Sequence, residues 1–411
     1  MQKIKDFLVR NKTPIALFFI ALAPRLLYVL LMNPNDISPD GSSWMQIANE
    51  LLAGKGYGDN WRSPVYSVFL AVSFYFSPGN LLLVRIAQSV IGACAALSTY
   101  YIGKTIFNKR AGLAAGLLLA FYPYLIYYCG DILKEELFTF LITLTVASLL
   151  LVKERPRLRW KVLAGVIAGV TVLCKSVILP FMGLAFIWHV FIEPKRFSSE
   201  NVKGFAIVLL VMGLTIAPWT FRNYLHYHRF VLVETQGAEH LWIANNPVAV
   251  KFEDIPHLDV QRLPEEYALS CDTQAYHHIL DTQTPEEADK TFFREALAFM
   301  SGHKLMYAGL MSKRLVHFWR LSPRVATKTN KIIALLTSGW ILPLGFLGMV
   351  LSWRAYWRST TLLVLLIASF TAVHLVFWAM IRYRVPIDPF VIVFAGFSID
   401  AILGKAGFTR A

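Results

Sequence analysis

Ten stretches of this chain run for close to twenty residues with hardly a charge among them, at about 14–32, 81–103, 111–127, 132–152, 160–175, 177–193, 204–221, 332–352, 361–380 and 386–403. A helix of ~20 apolar residues is long enough to cross the hydrocarbon layer of a bilayer, and few other uses exist for so many such runs. The chain is therefore predicted to be an all-α polytopic membrane protein of about ten transmembrane helices. Composition agrees. Of 411 residues, 56% are hydrophobic and 16% charged, against roughly 25% charged in a soluble domain. The mean hydropathy of +0.51 excludes a disordered chain and argues against a water-soluble enzyme. The first run, from Pro14 to Met32, follows a basic N-terminus as a signal peptide would. At its length, and with no small-residue cleavage site after it, it reads as a retained span.

The basic residues give the orientation. With the N-terminus in the cytoplasm, the inside loops are 1–13, 104–110, 153–159 with Lys161, 194–203, 353–360 and 404–411. They hold nineteen of the 40 basic residues and, counting Glu193 at one edge, four acids. This sorting follows the positive-inside rule and accounts for the net charge of +14 without nucleic acid. A shorter apolar piece at 64–77, opened by Pro64, would break the sorting if it crossed, so an interfacial or re-entrant helix is expected there. The expected modules are 1–221, a transmembrane catalytic unit with a first outer loop at 33–63; 222–331, a small extracytoplasmic region; and 332–411, the C-terminal spans. The middle region has 13 basic and 13 acidic residues, and its segment Leu305–Arg320 has the pattern of an amphipathic helix lying on the membrane surface.

Three groups of residues are candidates for chemistry. Asp40, Trp44, Ala48, Leu51 and Gly54 fall at helical spacing, so an outer helix should begin just after Asp40 and end at Gly54. Asp40 can simply cap that helix. Asp131, Glu135 and Glu136 open the fourth span. The helix dipole favours acids there, but three carboxylates in six residues at a membrane boundary are costly unless water, a cation or a ligand shares them. Arg25, Arg62, Arg85, Lys175, Arg222, Arg382 and Arg384 lie near or inside the outer half of the membrane. Each can snorkel to headgroups, and together they would suit a phosphate. The pair His277-His278 reads as exposed side chains, and the four cysteines have no metal spacing. Nucleotide-binding motifs are lacking.

Asp40 with Trp44-x3-Ala48, the run Leu51-Leu52-Ala53-Gly54-Lys55-Gly56-Tyr57-Gly58, and Arg62-Ser63-Pro64-Val65-Tyr66 resemble the first outer loop of the polyprenyl-phosphate-sugar glycosyltransferases of the GT-C fold. These include protein O-mannosyltransferases and lipid A aminoarabinose transferases. The resemblance continues through Tyr122-Pro123, Leu133-Lys134-Glu135-Glu136-Leu137-Phe138, Pro218-Trp219-Thr220-Phe221-Arg222-Asn223-Tyr224, Asn245-Asn246-Pro247 and Arg382-Tyr383-Arg384-Val385-Pro386.

The resemblance implies that Asp40 is the catalytic base and that Glu135 binds acceptor or metal. Asp131, Arg62, Lys175, Arg222, Arg382 and Tyr57 are further substrate-binding candidates. A divalent ion, Mg2+, Mn2+ or Zn2+, is a possible cofactor. Trp44 stands where the family often has Tyr, and Lys175 where arginine is common, which leaves the acceptor open among protein, lipid and glycan. The implied reaction moves a sugar from a polyprenyl phosphate to a hydroxyl with inversion, at the extracytoplasmic face of a membrane, taken from the chain's size to be the bacterial inner membrane. A transporter or flippase of lipid-linked sugars, or a glycan ligase, are the alternatives. The first would often carry an internal repeat, and none is visible.

Overall fold

The computed structural model describes residues 12–58, 62–193, 197–252, 272–323 and 328–405, and those residues are helical with no strand among them. Lys3, Lys5, Arg10, Lys195, Arg196 and Arg410 of the inside loops, and Cys271, lie outside the described residues. The chain is an integral membrane protein. Among the described residues six helices are long and apolar enough to cross a bilayer: α1 (Lys12–Leu31), α4 (Leu81–Ile106), α7 (Glu135–Glu154), α10 (Ser199–Tyr227), α16 (Lys328–Val376) and the stretch Ile381–Gly404, which takes in α17 (Ile381–Arg384) and all but the last residue of α18 (Asp388–Lys405). Large apolar side chains on their outer faces, such as Phe19, Leu27, Leu210 and Leu214, are about three-fifths exposed, as expected of surface made for lipid.

The expected ten is not reached by length and composition, for three physical reasons. First, the run at 111–127 is broken into α5 (Lys109–Ala120) and α6 (Pro123–Gly130), set at 47° to one another; the pair makes a seventh span if counted as one. Pro123 starts the new helix, and Arg25 donates to the carbonyls of Ala120 at 2.9 Å and Leu119 at 3.2 Å that the break leaves free. Second, α8 (Leu158–Cys174) has only 17 residues, and α9 (Leu179–Ile187) follows a short turn at Ser176–Ile178 and passes into a wider turn at Trp188–Ile192. Third, α16 counts once but doubles back. Phe346 packs on Trp319 at 5.0 Å, Trp319 on Phe318 at 5.5 Å and Phe318 on His374 at 5.6 Å. A straight helix would hold positions 346 and 374 about 40 Å apart at ~1.5 Å per residue. The reversal lies between these positions, where the Trp188 indole donates to the Arg358 carbonyl at 2.6 Å.

The connections gather at two ends. At one, Asn108 meets Asp400 at 2.8 Å, Lys153 meets Ser359 at 2.9 Å, and Lys153 pairs with Glu193. These belong to the basic loops. At the other, Ser63 donates to the Cys174 carbonyl at 2.7 Å, Ser38 to Asp131 at 2.9 Å, and Arg85 to the carbonyls of Pro34, Asp36 and Gly130 at 2.7–2.8 Å. This second end also carries α2 (Pro39–Leu52) and α3 (Pro64–Phe76). Beyond it, α11 (Gly237–Ala244), which leads into α12 (Pro247–Phe252), forms with α13 (Thr273–Thr282) and α14 (Pro285–Gly302) a small apolar core around Trp242 and Phe292, with Phe377 and Trp378 packed against it.

In α15 (Lys304–Trp319) the buried face carries Leu310 and Phe318 together with one charge, Arg314. Arg314 is fully buried and donates to the Asn245 side chain at 3.2 Å and to the carbonyls of Leu375 and Val376 at 3.0 and 3.1 Å. Leu305, Val316 and Leu315 are exposed instead.

Candidate active site

α2 starts earlier than the sequence suggests, because Ser38 and not Asp40 is its cap. The Ser38 hydroxyl accepts from the Gly41 amide at 3.2 Å while donating to Asp131, and Pro39 occupies the first turn. Asp40 is thereby released from capping. One of its oxygens accepts from Arg62 at 3.1 Å and the other from Arg382 at 2.8 Å. Arg382 also donates through Nε to Glu135 at 2.6 Å, so one guanidinium joins the two carboxylates. Burial pushes the Asp40 carboxyl up, but the charges of Arg382 and Arg62 outweigh it and hold the group at about 2.

These residues line a cavity of about 510 Å³ at the end of the bundle where the first loop folds. Lys175 enters it from the break after α8, over the rings of Tyr383 at 4.7 Å and Phe138 at 5.7 Å, with no ion-pair partner among the described residues. A second polar cluster lies beside Trp44, whose ring centroid is 5.3 Å from the Lys134 ammonium. There Lys134 approaches Glu234 at 3.5 Å and Ser63 at 3.3 Å, and Ser176 donates to Glu234 at 2.8 Å. The remaining wall is apolar and aromatic, from Val177, Leu179, Pro180, Val373, Phe377 and Trp378. Four basic side chains (Arg62, Lys134, Lys175, Arg382) therefore face three acidic ones (Asp40, Glu135, Glu234), an excess suited to an anion.

Of the residues singled out from sequence, the fold brings Asp40, Glu135, Arg62, Lys175 and Arg382 together and leaves three elsewhere. Asp131 anchors the start of α2. The Tyr57 hydroxyl donates to the Ser63 carbonyl at 2.9 Å. Arg222 donates to the Gly58 carbonyl and packs against the rings of Tyr57, Trp219 and Tyr227, bracing the loop from outside. That loop can turn so tightly because Gly54 and Gly56 both adopt φ of 72°, a left-handed conformation glycine takes without strain. Arg25, Arg85 and Arg384 are also absent from the cavity, each bonded to backbone carbonyls in the packed interior.

Residues 61–221 match the family model described as dolichyl-phosphate-mannose-protein mannosyltransferase. That segment holds Arg62, Lys134, Glu135 and Lys175, while Asp40, Glu234 and Arg382 fall outside it. Among solved structures, the oligosaccharyltransferase AglB from Archaeoglobus fulgidus, in complex with an inhibitory peptide and a dolichol-phosphate, is similar at a TM-score of 0.59 and 16% identity over 98% of this chain. The same archaeal enzyme tethered to an acceptor peptide gives 0.63 and 14% over 99% of the chain. The chain has the GT-C fold.

The chain spans about half the length of these structures, 51% in both. ArnT from Cupriavidus metallidurans bound to undecaprenyl phosphate, at 13% identity over 97% of this chain and 80% of its own, reaches only 0.44, too low to bear on the site. No curated protein sequence matches. Most of the cavity's charged residues sit at or near helix ends, where free backbone groups and chain breaks give room for a ligand.

A divalent metal does not fit the donors as they stand. Among the described residues no three His, Cys, Asp or Glu side chains are grouped to hold one. The Arg382 guanidinium lies between the two carboxylates such an ion would share. Of the three cavity carboxylates, Glu135, 2% exposed, is the one that keeps a buried oxygen without a hydrogen-bond partner. A neighbouring AglB structure is a complex with Zn and sulfate, a statement about that protein. Sequence reasoning missed Glu234, Ser176, His240 and His374, which also line the cavity. Glu234 is one of thirteen acids in a mixed region with no periodicity to mark it; Lys134 was legible beside Glu135.

Proposed function

We propose that the protein is an inverting membrane glycosyltransferase that moves a sugar from a polyprenyl phosphate to a hydroxyl of a protein, lipid or glycan, with Asp40 as base. One observation carries the reading: Asp40 and Glu135 share Arg382 in a cavity whose cationic end adjoins an apolar wall. The donor phosphate would sit against Arg62, Arg382 and Lys175, and the first part of its lipid chain along Leu179, Pro180, Val373 and Phe377. The acceptor oxygen attacks the anomeric carbon from the side opposite the phosphate. The bond from that carbon to the phosphate oxygen breaks, its electron pair leaves with the polyprenyl phosphate, and the acceptor proton passes to Asp40.

A carboxylate held at about 2 by two arginines is a feeble base. A phosphate entering the site competes for the same guanidiniums, and each hydrogen bond it takes from Asp40 restores basicity. Donor binding thus prepares the proton transfer, and water-filled cavities without donor stay unreactive. The basic loops lie at the opposite end of the bundle, which by the positive-inside rule supports a cavity at the extracytoplasmic face, the periplasmic side in a bacterial inner membrane. Arg25 and Arg85, which a transport path would need beside water, are 0% and 1% exposed and spend their donors on carbonyls, which disfavours a flippase.

Deleting the gene should remove a mass of one sugar from a cellular glycoconjugate, and the wild-type gene should restore it. An Asp40→Asn protein present at normal level that restores the mass as fast as wild type would end the assignment of the base.

A further inference from the structure

The cluster around Glu234 has no part in the reaction just described, yet several elements converge to build it. The segment after α10 returns along that helix and is pinned by side chains of the Trp219-Thr220-Phe221-Arg222-Asn223 run. Trp219 donates to the Val233 carbonyl at 3.0 Å, Thr220 to Leu232 at 2.9 Å, and Asn223 to Val231 and Val233, both at 3.2 Å. Four hydrogen bonds thus fix the backbone immediately before Glu234. Its carboxylate is then oriented from both sides, by the Lys134 ammonium at one oxygen and the Ser176 hydroxyl at the other, while a quarter of the side chain remains exposed.

The cluster also stands close to the phosphate-binding cations. The Arg62 guanidinium lies 4.5 Å from the Trp44 ring centroid and the Lys134 ammonium 5.3 Å from the same centroid, so the two cations are separated by no more than those two lengths together.

The chemistry of the two clusters differs. Arg62, Arg382 and Lys175 offer donors only and favour an anion. Glu234 would repel a phosphate, but a carboxylate can accept from two neighbouring hydroxyls, and Lys134 and Ser176 beside it supply donors. Alternating acceptors and donors are what an uncharged polyol recognises, since each hydroxyl both gives and takes a hydrogen bond. The 3.5 Å separation of Lys134 from Glu234 leaves the ammonium room for a further partner.

Resting on the function proposed above, we propose that Glu234, with Lys134 and Ser176, forms the subsite that recognises the hydroxyls of the transferred sugar. Glu234 is a specificity determinant that acts on the donor's sugar and is indifferent to its lipid phosphate.

The test uses full-length protein in lipid nanodiscs and equilibrium binding of four probes: bare undecaprenyl phosphate and undecaprenyl phosphate carrying mannose, glucose or galactose. In the wild type, at least one sugar should tighten binding over the bare lipid by about tenfold, the worth of a hydrogen bond to a charged group. Glu234→Gln should abolish that gain and leave the bare lipid within about twofold of wild type. Ser176→Ala, which keeps the carboxylate, should reduce the gain in part and guards against a Glu234→Gln protein that fails to fold. The proposal is overturned if no sugar tightens binding, if Glu234→Gln preserves the gain, or if it weakens the bare lipid as much as the loaded ones. A wild type that binds none of the four brings down the glycosyltransferase reading itself, whereas a wild type that binds the lipids with an indifferent Glu234 sinks only this subsite.

Discussion

Two pairs of neighbouring charges in this chain have opposite fates. Arg382 and Glu135 meet at the cavity, where Arg382 also shares Asp40, 29% exposed, with Arg62. Arg384, two residues along, turns into the packed interior, bonds Asp388 at 3.0 Å with neither side chain exposed, and donates to the Phe318 and Arg320 carbonyls, while Asp388 also accepts from Tyr122 at 2.6 Å. Glu136, next to Glu135, likewise faces inward, 3.8 Å from Arg25. Residue type and spacing are nearly the same in the two regions. What differs is access to a ligand: the buried charges are sealed from one, with Arg384 and Asp388 bonded to each other, whereas the cavity charges stand where a ligand could take a partner's place. Breaking a sealed pair strands a charge and destabilises the fold; breaking an open pair changes binding and chemistry.

The largest effect that would sharpen this contrast is on transfer. Asp40→Asn should lower sugar transfer by about 10²–10⁴-fold, the worth of a general base, with a smaller loss of stability than a break in the sealed pair brings. Asp388→Asn should do the reverse, costing about 3–5 kcal/mol of stability by stranding Arg384, measured by unfolding in detergent. Comparable stability losses in both proteins would erase the distinction.

A smaller effect is more diagnostic. Because Asp40 competes with the donor phosphate for Arg62 and Arg382, Asp40→Asn should bind undecaprenyl phosphate about tenfold more tightly than wild type while failing to transfer, since coupling between two ligands of one site is reciprocal. Unchanged or weaker binding would mean that the arginines are not shared. Next, Glu135→Gln should reduce transfer more than Glu136→Gln, and Glu136→Gln should act on expression and unfolding temperature. Equal losses of transfer would assign the carboxylates wrongly.

The smallest effect is on the pH dependence of stability. Asp40 has its carboxyl lowered from 3.8 to about 2. Its contribution is present above pH 4 and lost as the pH falls toward 2. In acid unfolding of Asp40→Asn, that part of the decline should be missing.

Much of this was legible in the chain. The apolar runs fixed the class because nothing but a bilayer accommodates so many of them, and the sorting of Lys and Arg separated the two ends. The motifs around Asp40, Glu135 and Arg382 named the site's centre, since a carboxylate or guanidinium at a helix end near the membrane boundary is costly without a use. The sequence also marked Asp131, Tyr57 and Arg222, but could not tell a residue that lines a cavity from one that braces its wall.

The tertiary structure alone decided three things. Ser38 takes the cap and frees Asp40, because Asp131 from ninety residues away holds the Ser38 hydroxyl in place. Arg382 and not Arg384 reaches Glu135, because the turn entering α18 points them to different surroundings. Glu234 becomes part of the site only through the hydrogen bonds of Trp219, Thr220 and Asn223. In each case the deciding interaction joins side chains and backbone brought together by packing, and a pattern of period 3.6 holds no record of which distant group will be at hand.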